Sequence, residues 1–241
     1  MKRILVVIPT YNECANIQFV VKAVLAAGLQ YEVLIVDDNS PDGTGQIADD
    51  LSAQESRIHV LHRPYKEGLG KAYLAAFQWA LSRPYEYIFE MDADFSHDPK
   101  YLTHFLEAME QGADLCLGSR RIKGGGVLDW GLGRKLLSAG GSFYARLILG
   151  IDVRDLTSGF KCFHRKVLES INLNEVKSSG YAFQIELTYR AILKGFKVLE
   201  VPIIFEDRRI GKSKMSRKIF LEAVFMVWRL RFGGLLGRIA T

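Results

Sequence analysis

Short apolar runs alternate with amphipathic stretches through the first half of the chain. RILVVI (3–8), YEVLIVDD (31–38), RIHVLHR (57–63), YEYIFEMD (85–92) and ADLCLGS (113–119) are β-branched or aromatic and too short for typical helices, so they read as strands. The spacing predicts helices between them at about 14–28, 44–55, 69–83 and 98–111. Strand–helix alternation implies an α/β fold with a mostly parallel sheet flanked by helices. The second half is less regular, with helices expected near 134–149, 180–194 and 215–232 and a strand at 197–205. No linker rich in Pro, Gly or Ser divides the chain, so the expectation is a single domain over 1–241 with an elaborated C-terminal half.

Right-handed crossovers place the loops after the strands along one sheet edge, where open α/β sheets bind ligands. That edge collects PTYNE, DDNSPDGTG, HRPYKEGLG, DADFSHDP and GSRRIKGGG, nearly every unusual loop in the first half.

Composition adds limits. At 49% hydrophobic and 24% charged, without a low-complexity tract, the chain is globular. A net charge of +5 and a pI near 9.0 favour anionic partners such as nucleotides, phosphates or lipid head groups. Cys14, Cys116 and Cys162 are odd in number and form no CxxC pair, which argues against a disulfide framework or zinc knuckle and for reduced thiols. The N-terminus lacks the core of a signal peptide, and no run reaches the roughly 18 uninterrupted apolar residues that span a bilayer. The expected location is cytoplasmic.

The loops carry the candidate chemistry. Asp92 and Asp94 stand two residues apart at the end of a strand, where each raises the cost of ionising the other. In extended chain they point the same way, which suits a divalent cation, Mg2+ or Mn2+, shared with a substrate diphosphate; a solvated turn is the alternative. In PTYNE, Pro9 ends the strand and Asn12 or Glu13 opens the next helix, whose free N–H groups suit an anion, although an ordinary connection explains it as well. Asp37 and Asp38 divide two duties, a hydrogen bond to a ribose or base edge and turn chemistry shared with the capping residues Asn39, Ser40 or Asp42. KEGLGKA is neither a GxGxxG fingerprint nor a Walker motif, and Gly68 and Gly70 equally serve a tight helix entry. His97 reads as a capping or packing residue. Arg120, Arg121, Arg134, Lys135 and the dense run EDRRIGKSKMSRK supply positive charge for phosphate, the arginines through forked contacts, alongside ordinary solvent-exposed charge. Aromatics are not interleaved with these basic residues, so a nucleic-acid partner is not expected.

Assembled in order, IPTYNE, VDDNSPDGTG, HRPYKEGLGKAY, MDADFSHDP, GSR, TSGFK, GYAFQIEL and EVPIIFEDRRIGKSK resemble the family-2 inverting glycosyltransferases of the GT-A (Rossmann-like) fold. DDNSPDGTG with DR and GKSK narrows the resemblance to the dolichyl- or polyprenyl-phosphate mannose synthases. It implies transfer of mannose from GDP-mannose to a polyprenyl (dolichyl) monophosphate with inversion. Pro9, Tyr11, Glu13, Val36 and Asp38 match nucleotide-binding positions, and Asp92, Ala93 and Asp94 the metal–diphosphate segment. Ser96 falls where some relatives carry a metal-ligating Gln, which makes it a weaker or water-mediated ligand. Arg120, Arg208 and Lys214 match residues that hold donor or acceptor phosphates, with Arg120, Asp92, Asp94 and Arg208 as the catalytic set. Arg134 and Ser138 join Arg120 as acceptor-phosphate contacts, and Asp155 matches a site-lining carboxylate of unassigned role.

The last helix, within 215–241, places Lys218, Glu222 and Arg229 on a narrow stripe with apolar residues around most of the rest. Such a helix suits peripheral association with the cytoplasmic face of a membrane; packing on the core and docking to a small membrane-anchoring subunit are alternatives. Two rival functions stay open: a polyprenyl-phosphate glucosyltransferase using UDP-glucose, and a non-catalytic nucleotide-sugar or nucleic-acid binding module.

Overall fold

The computed structural model describes residues 2–206 and 217–235, apart from the side chains of 134, 217–223 and 235. The first-half strands form where expected: β1 (Ile4–Thr10), β2 (Tyr31–Asp37), β3 (Ile58–His62), β4 (Tyr87–Glu90) and β5 (Leu115–Ser119). Between them run α1 (Ile17–Ala26), α2 (Thr44–Gln54), α3 (Leu69–Leu81) and α4 (Leu102–Glu110). The second half holds β6 (Gly126–Val127), α5 (Leu132–Leu149), β7 (Lys161–His164), α6 (Arg165–Ser170), α7 (Gly180–Leu193), β8 (Val198–Pro202), β9 (Ile204–Phe205) and α8 (Arg217–Leu235).

Among the described residues seven strands make one sheet, ordered β3-β2-β1-β4-β7-β5-β8. Every neighbouring pair is parallel except those of β7, which runs antiparallel to both β4 and β5. The loops after β1 to β5 therefore share one edge, as the alternation implied. Along β1 the pleat sends Leu5 and Val7 into a core shared with Ala76 and Phe77 of α3. Ile4, Val6 and Ile8 enter the opposite core with Val20 and Val24 of α1. Both faces are covered, so the strand is apolar throughout rather than alternating. Each fully buried Val, Leu, Ile or Phe contributes about 1.5–3 kcal/mol to this packing.

One strand was missed and three expectations are corrected. β7 was not legible, because KCFH is short and opens on a lysine that is fully buried in the sheet. The strand expected over 197–205 splits: Pro202 lacks an N–H, and Ile203 bonds sideways to Ser119 O and Gly126 N, so β9 pairs with β6 in a separate small sheet. β1 runs through Pro9 to Thr10. Helix α1 begins neither at Asn12 nor at Glu13, because Asn12 takes a left-handed φ of 59° and the Glu13 carbonyl accepts the N–H groups of Asn16 and Ile17 in a preceding turn.

Helix α8 packs on α5 and α7 through Val227 and Leu230; Tyr144 Oη donates to Val224 O and Arg231 Nη1 to Leu149 O. Its Phe225, Trp228 and Phe232 stay exposed. Among the described residues no helix is long and apolar enough to cross a membrane.

Candidate active site

Neighbouring β1 and β4 lead outward to strands of opposite sequence direction, the position where doubly wound sheets open a ligand crevice. On one side lie the loops after β1, β2 and β3. Asn12 N donates to Ser40 Oγ, Glu13 N to Thr44 Oγ1 and Cys14 N to Asp42 Oδ2, which stitches the PTYNE loop to the turn before α2. Asp37 is taken up by that turn, accepting from Thr10 Oγ1, Ser40 N and Ser40 Oγ. Asp42 accepts from Thr44 N and Oγ1; against the effect of burial, bonds from Thr44 and Cys14 hold its carboxyl at about 2. Of the two adjacent carboxylates, Asp37 thus serves the turn. Asp38 faces the buried Arg63, whose Nη1 donates to its Oδ1 while Nη2 reaches Glu67. Burial nevertheless raises the Asp38 pKa. Pro9 and Val36 are register partners at the ends of β1 and β2. Lys66 lies 3.7 Å over the centre of the Tyr11 ring. Arg63 and Lys66, which contact Asp38 and Tyr11, were not singled out in the sequence; their only signal was basic character in the loop after β3.

Gly70 serves neither as a tight turn nor as part of the helix entry alone, but allows a close approach. A Cβ there would meet Ser178 O at 2.8 Å, so its lack of a side chain lets α3 approach the segment leading into α7.

At the centre, the chain after β4 turns sharply. Phe95 adopts a left-handed φ of 62°, which brings Ser96 back onto Asp94: both Ser96 N and Ser96 Oγ donate to Asp94 Oδ1, at 3.1 and 2.6 Å. Asp92 N donates to His97 Nδ1 at 3.0 Å, and the His97 ring stacks on Phe160 with centroids 5.0 Å apart. His97 is thus a packing residue, as read, that also holds the backbone of the metal-type loop. Asp94 and Ala93 are buried, whereas the Asp92 side chain is 32% exposed. Two carboxylates and a neutral hydroxyl suit a hard cation that completes its shell with phosphate oxygens and water. Among the described residues no cluster of three His, Cys, Asp or Glu ligands forms.

The far side is basic. Arg120 forks onto Asp155, with Nε to Oδ2 and Nη2 to Oδ1 at 2.6 Å each, and its backbone N adds a third bond at 3.0 Å. Burial opposes both charges, yet the pairing prevails, raising the arginine pKa and lowering that of the carboxyl. Trp130 and Phe205 wall the guanidinium, their ring centres 5.6 and 5.3 Å from its carbon. Ser138 of α5 accepts from Arg121 Nη2, not from Arg120. Arg134 has only its backbone described. Arg208 and Lys214 lie outside the described residues.

Under the loop, Glu90 of β4 and Lys161 of β7 are register partners and fully buried. Burial pushes the carboxyl up to about 7 and the ammonium down to about 8.

A parallel sheet interrupted by one antiparallel strand, with a DxD loop at its crevice, defines a GT-A glycosyltransferase. The solved structure of glucosyl-3-phosphoglycerate synthase from Mycobacterium tuberculosis, in complex with Mn2+ and uridine-diphosphate-glucose, superposes with a TM-score of 0.65 at 18% identity. The match covers 99% of this chain and 79% of that one. The chain belongs to glycosyl transferase family 2, which residues 5–171 match. It is 50% identical over 233 residues to the polyprenol monophosphomannose synthase of Mycolicibacterium smegmatis, covering 95% of this chain and 88% of that protein. It is 44% identical over 241 residues to the undecaprenyl-phosphate mannosyltransferase of Micrococcus luteus, covering 98% and 99% respectively.

Proposed function

We propose that the protein transfers mannose from GDP-mannose to a polyprenyl monophosphate, inverting the anomeric carbon and releasing GDP. The observation that carries this reading is the 44–50% identity, along nearly the whole chain, to two relatives named for polyprenyl-phosphate mannosylation. The site supports it. Pro9, Tyr11, Glu13, Val36 and Asp38 line the nucleotide side, and Arg120 lies across the crevice beyond Asp92 and Asp94.

Asp92 and Asp94 would hold Mg2+ or Mn2+, with Ser96 orienting Asp94 through its two hydrogen bonds. When bound, the ion would offset negative charge on the departing diphosphate. An oxygen of the acceptor phosphate forms the new bond to the anomeric carbon as the bond to the GDP oxygen breaks. That nucleophile is anionic at neutral pH, so no side-chain base is required, and the protein contributes positioning and electrostatics. Arg208, Lys214 and Arg134 complete the phosphate contacts in this reading.

A lipid acceptor requires contact with a membrane. On α5, Leu132, Leu136, Phe143 and Leu147 share one face and are 65–79% exposed; Phe225, Trp228 and Phe232 of α8 add exposed aromatic surface. We place both helices at the cytoplasmic face of a membrane, on this surface or through a small anchoring subunit.

The test is transfer from radiolabelled GDP-mannose, with UDP-glucose in parallel, to a short polyprenyl phosphate in detergent, with Mg2+ or Mn2+ and then chelator. Chelator-sensitive mannolipid supports donor, acceptor and metal together. Glucolipid alone replaces the donor, and absence of lipid product from either sugar in detergent and in vesicles overturns the acceptor.

A further inference from the structure

Phe205 ends β9, a strand of two residues, yet its ring reaches both sides of the crevice. Backbone bonds fix the root of that ring: Leu128 N donates to Phe205 O at 2.9 Å, Ile204 N to Tyr101 Oη at 3.0 Å and Ile203 N to Ser119 O at 3.0 Å. Toward the DxD loop the ring meets His97 edge to face, with centroids 5.7 Å apart. His97 is thereby held between Phe205 and the stacked ring of Phe160, with its Nδ1 accepting the Asp92 N–H at 3.0 Å. Toward the basic side the same ring lies 5.3 Å from the guanidinium carbon of Arg120 and meets Trp130 edge to face at 5.4 Å. Arg120 is fixed from the other direction by its fork onto Asp155. Edge-to-face and cation–π contacts depend on a ring's quadrupole, so an aliphatic side chain of similar size does not reproduce them. Among the described residues Phe205 is only partly buried and joins neither of the two apolar cores that flank the sheet. Its contacts therefore serve the crevice rather than the packing of the main sheet.

We propose that Phe205 is a positioning residue: one ring sets the separation between the DxD loop, which it reaches through His97, and the basic wall, which it reaches through Arg120. This deepens the function proposed above and rests on it. Transfer between two anions bound on opposite sides of a crevice depends on the distance between them, and a misplacement of about 1 Å costs on the order of a hundredfold in rate. Phe205 touches neither anion itself; it acts on the Asp92 backbone by steadying the imidazole that accepts its N–H.

The experiment compares the full-length wild type with F205L, which removes the ring, and F205Y, which keeps it. In the ligand-free protein, amide hydrogen exchange is followed at Asp92, with Met91, whose N–H is held by Val7 O, as the reference. F205L should speed exchange at Asp92 at least tenfold and leave Met91 within twofold, and F205Y should restore the wild-type rate. Unchanged exchange at Asp92, an equal rise at both amides, or F205Y behaving as F205L overturns the proposal. This arm uses no substrate, so its outcome is separate from that of the donor and acceptor assignments. In calorimetric titration with GDP and Mn2+, F205L should bind at least fivefold more weakly than wild type. Added to His97→Ala, it should cost less than a further twofold, because the ring acts through the imidazole; losses that multiply independently overturn that route. With GDP-mannose and a short isoprenyl phosphate, F205L should lower kcat at least tenfold and F205Y should recover it. A kcat within twofold of wild type overturns the role of the ring in setting the separation. If F205L does not fold, F205M is read by the same outcomes.

Discussion

The Arg120 guanidinium and the Asp155 carboxylate meet as a two-point fork, with 2.6 Å at each arm. The carboxylate is fully buried and the arginine side chain 7% exposed. The pair ties the end of β5 to the segment that leads into β7, so it sets the distance between the basic wall and the central strands.

Asp155→Asn leaves that arginine buried without a counter-charge. Breaking such a pair costs about 3–5 kcal/mol, and urea unfolding should show a midpoint shift with an unchanged slope. Transfer activity should fall in the same variant under conditions where it remains folded.

Asp94 and Ser96 act together. Asp94→Asn should abolish chelator-sensitive transfer. Ser96→Ala removes a hydrogen bond to a charged group, worth about 1.5–3 kcal/mol, and should lower kcat on the order of ten- to a hundredfold. Isotherms for Mn2+ in the presence of GDP check whether the loss tracks metal affinity.

Glu90 and Lys161 stabilise one another inside the sheet. Lys161→Met alone should destabilise by about 3–5 kcal/mol, and Glu90→Leu/Lys161→Met by less than the sum of the single changes, because the double change removes both buried charges. A double-mutant cycle in urea measures the coupling directly.

The pH dependence of stability has two opposed limbs. Asp155 and Asp42 titrate below their ordinary value of 3.8 in the native protein, Asp42 at about 2, so the stability they contribute is present above about pH 4 and is lost as the pH falls toward 2. Glu90 runs the other way. Raised from 4.5 to about 7, it binds a proton more readily in the native than in the unfolded chain, and stability declines as the pH climbs through that window. Glu90→Gln should flatten this decline in stability profiles between pH 4.5 and 7, leaving the acid limb intact.

Much of the sheet was legible because its signal is local. RILVVI, YEVLIVDD and YEYIFEMD are apolar on both pleats, which only strands covered on two faces tolerate. The same alternation placed PTYNE, DDNSPDGTG and DADFSHDP on one edge, and the structure finds them stitched or adjacent there. The short strand β7 was illegible because its pairing is non-local. Lys161 opening a buried strand contradicts the hydrophobic pattern until Glu90 is seen opposite it. Arg63 was likewise one basic residue among many, and only the fold brings it to Asp38.

The sequence by itself determined the α/β class, the sheet edge that gathers the unusual loops, the DxD loop and the family motifs, since each depends on periodicity or on residues close in the chain. Tertiary structure alone decided which charges neutralise one another. Asp155 is 35 positions from Arg120, and Ser138 is 17 from Arg121. Two adjacent arginines look interchangeable in a string of letters; they differ because one carboxylate has two oxygens, and Arg120 occupies both.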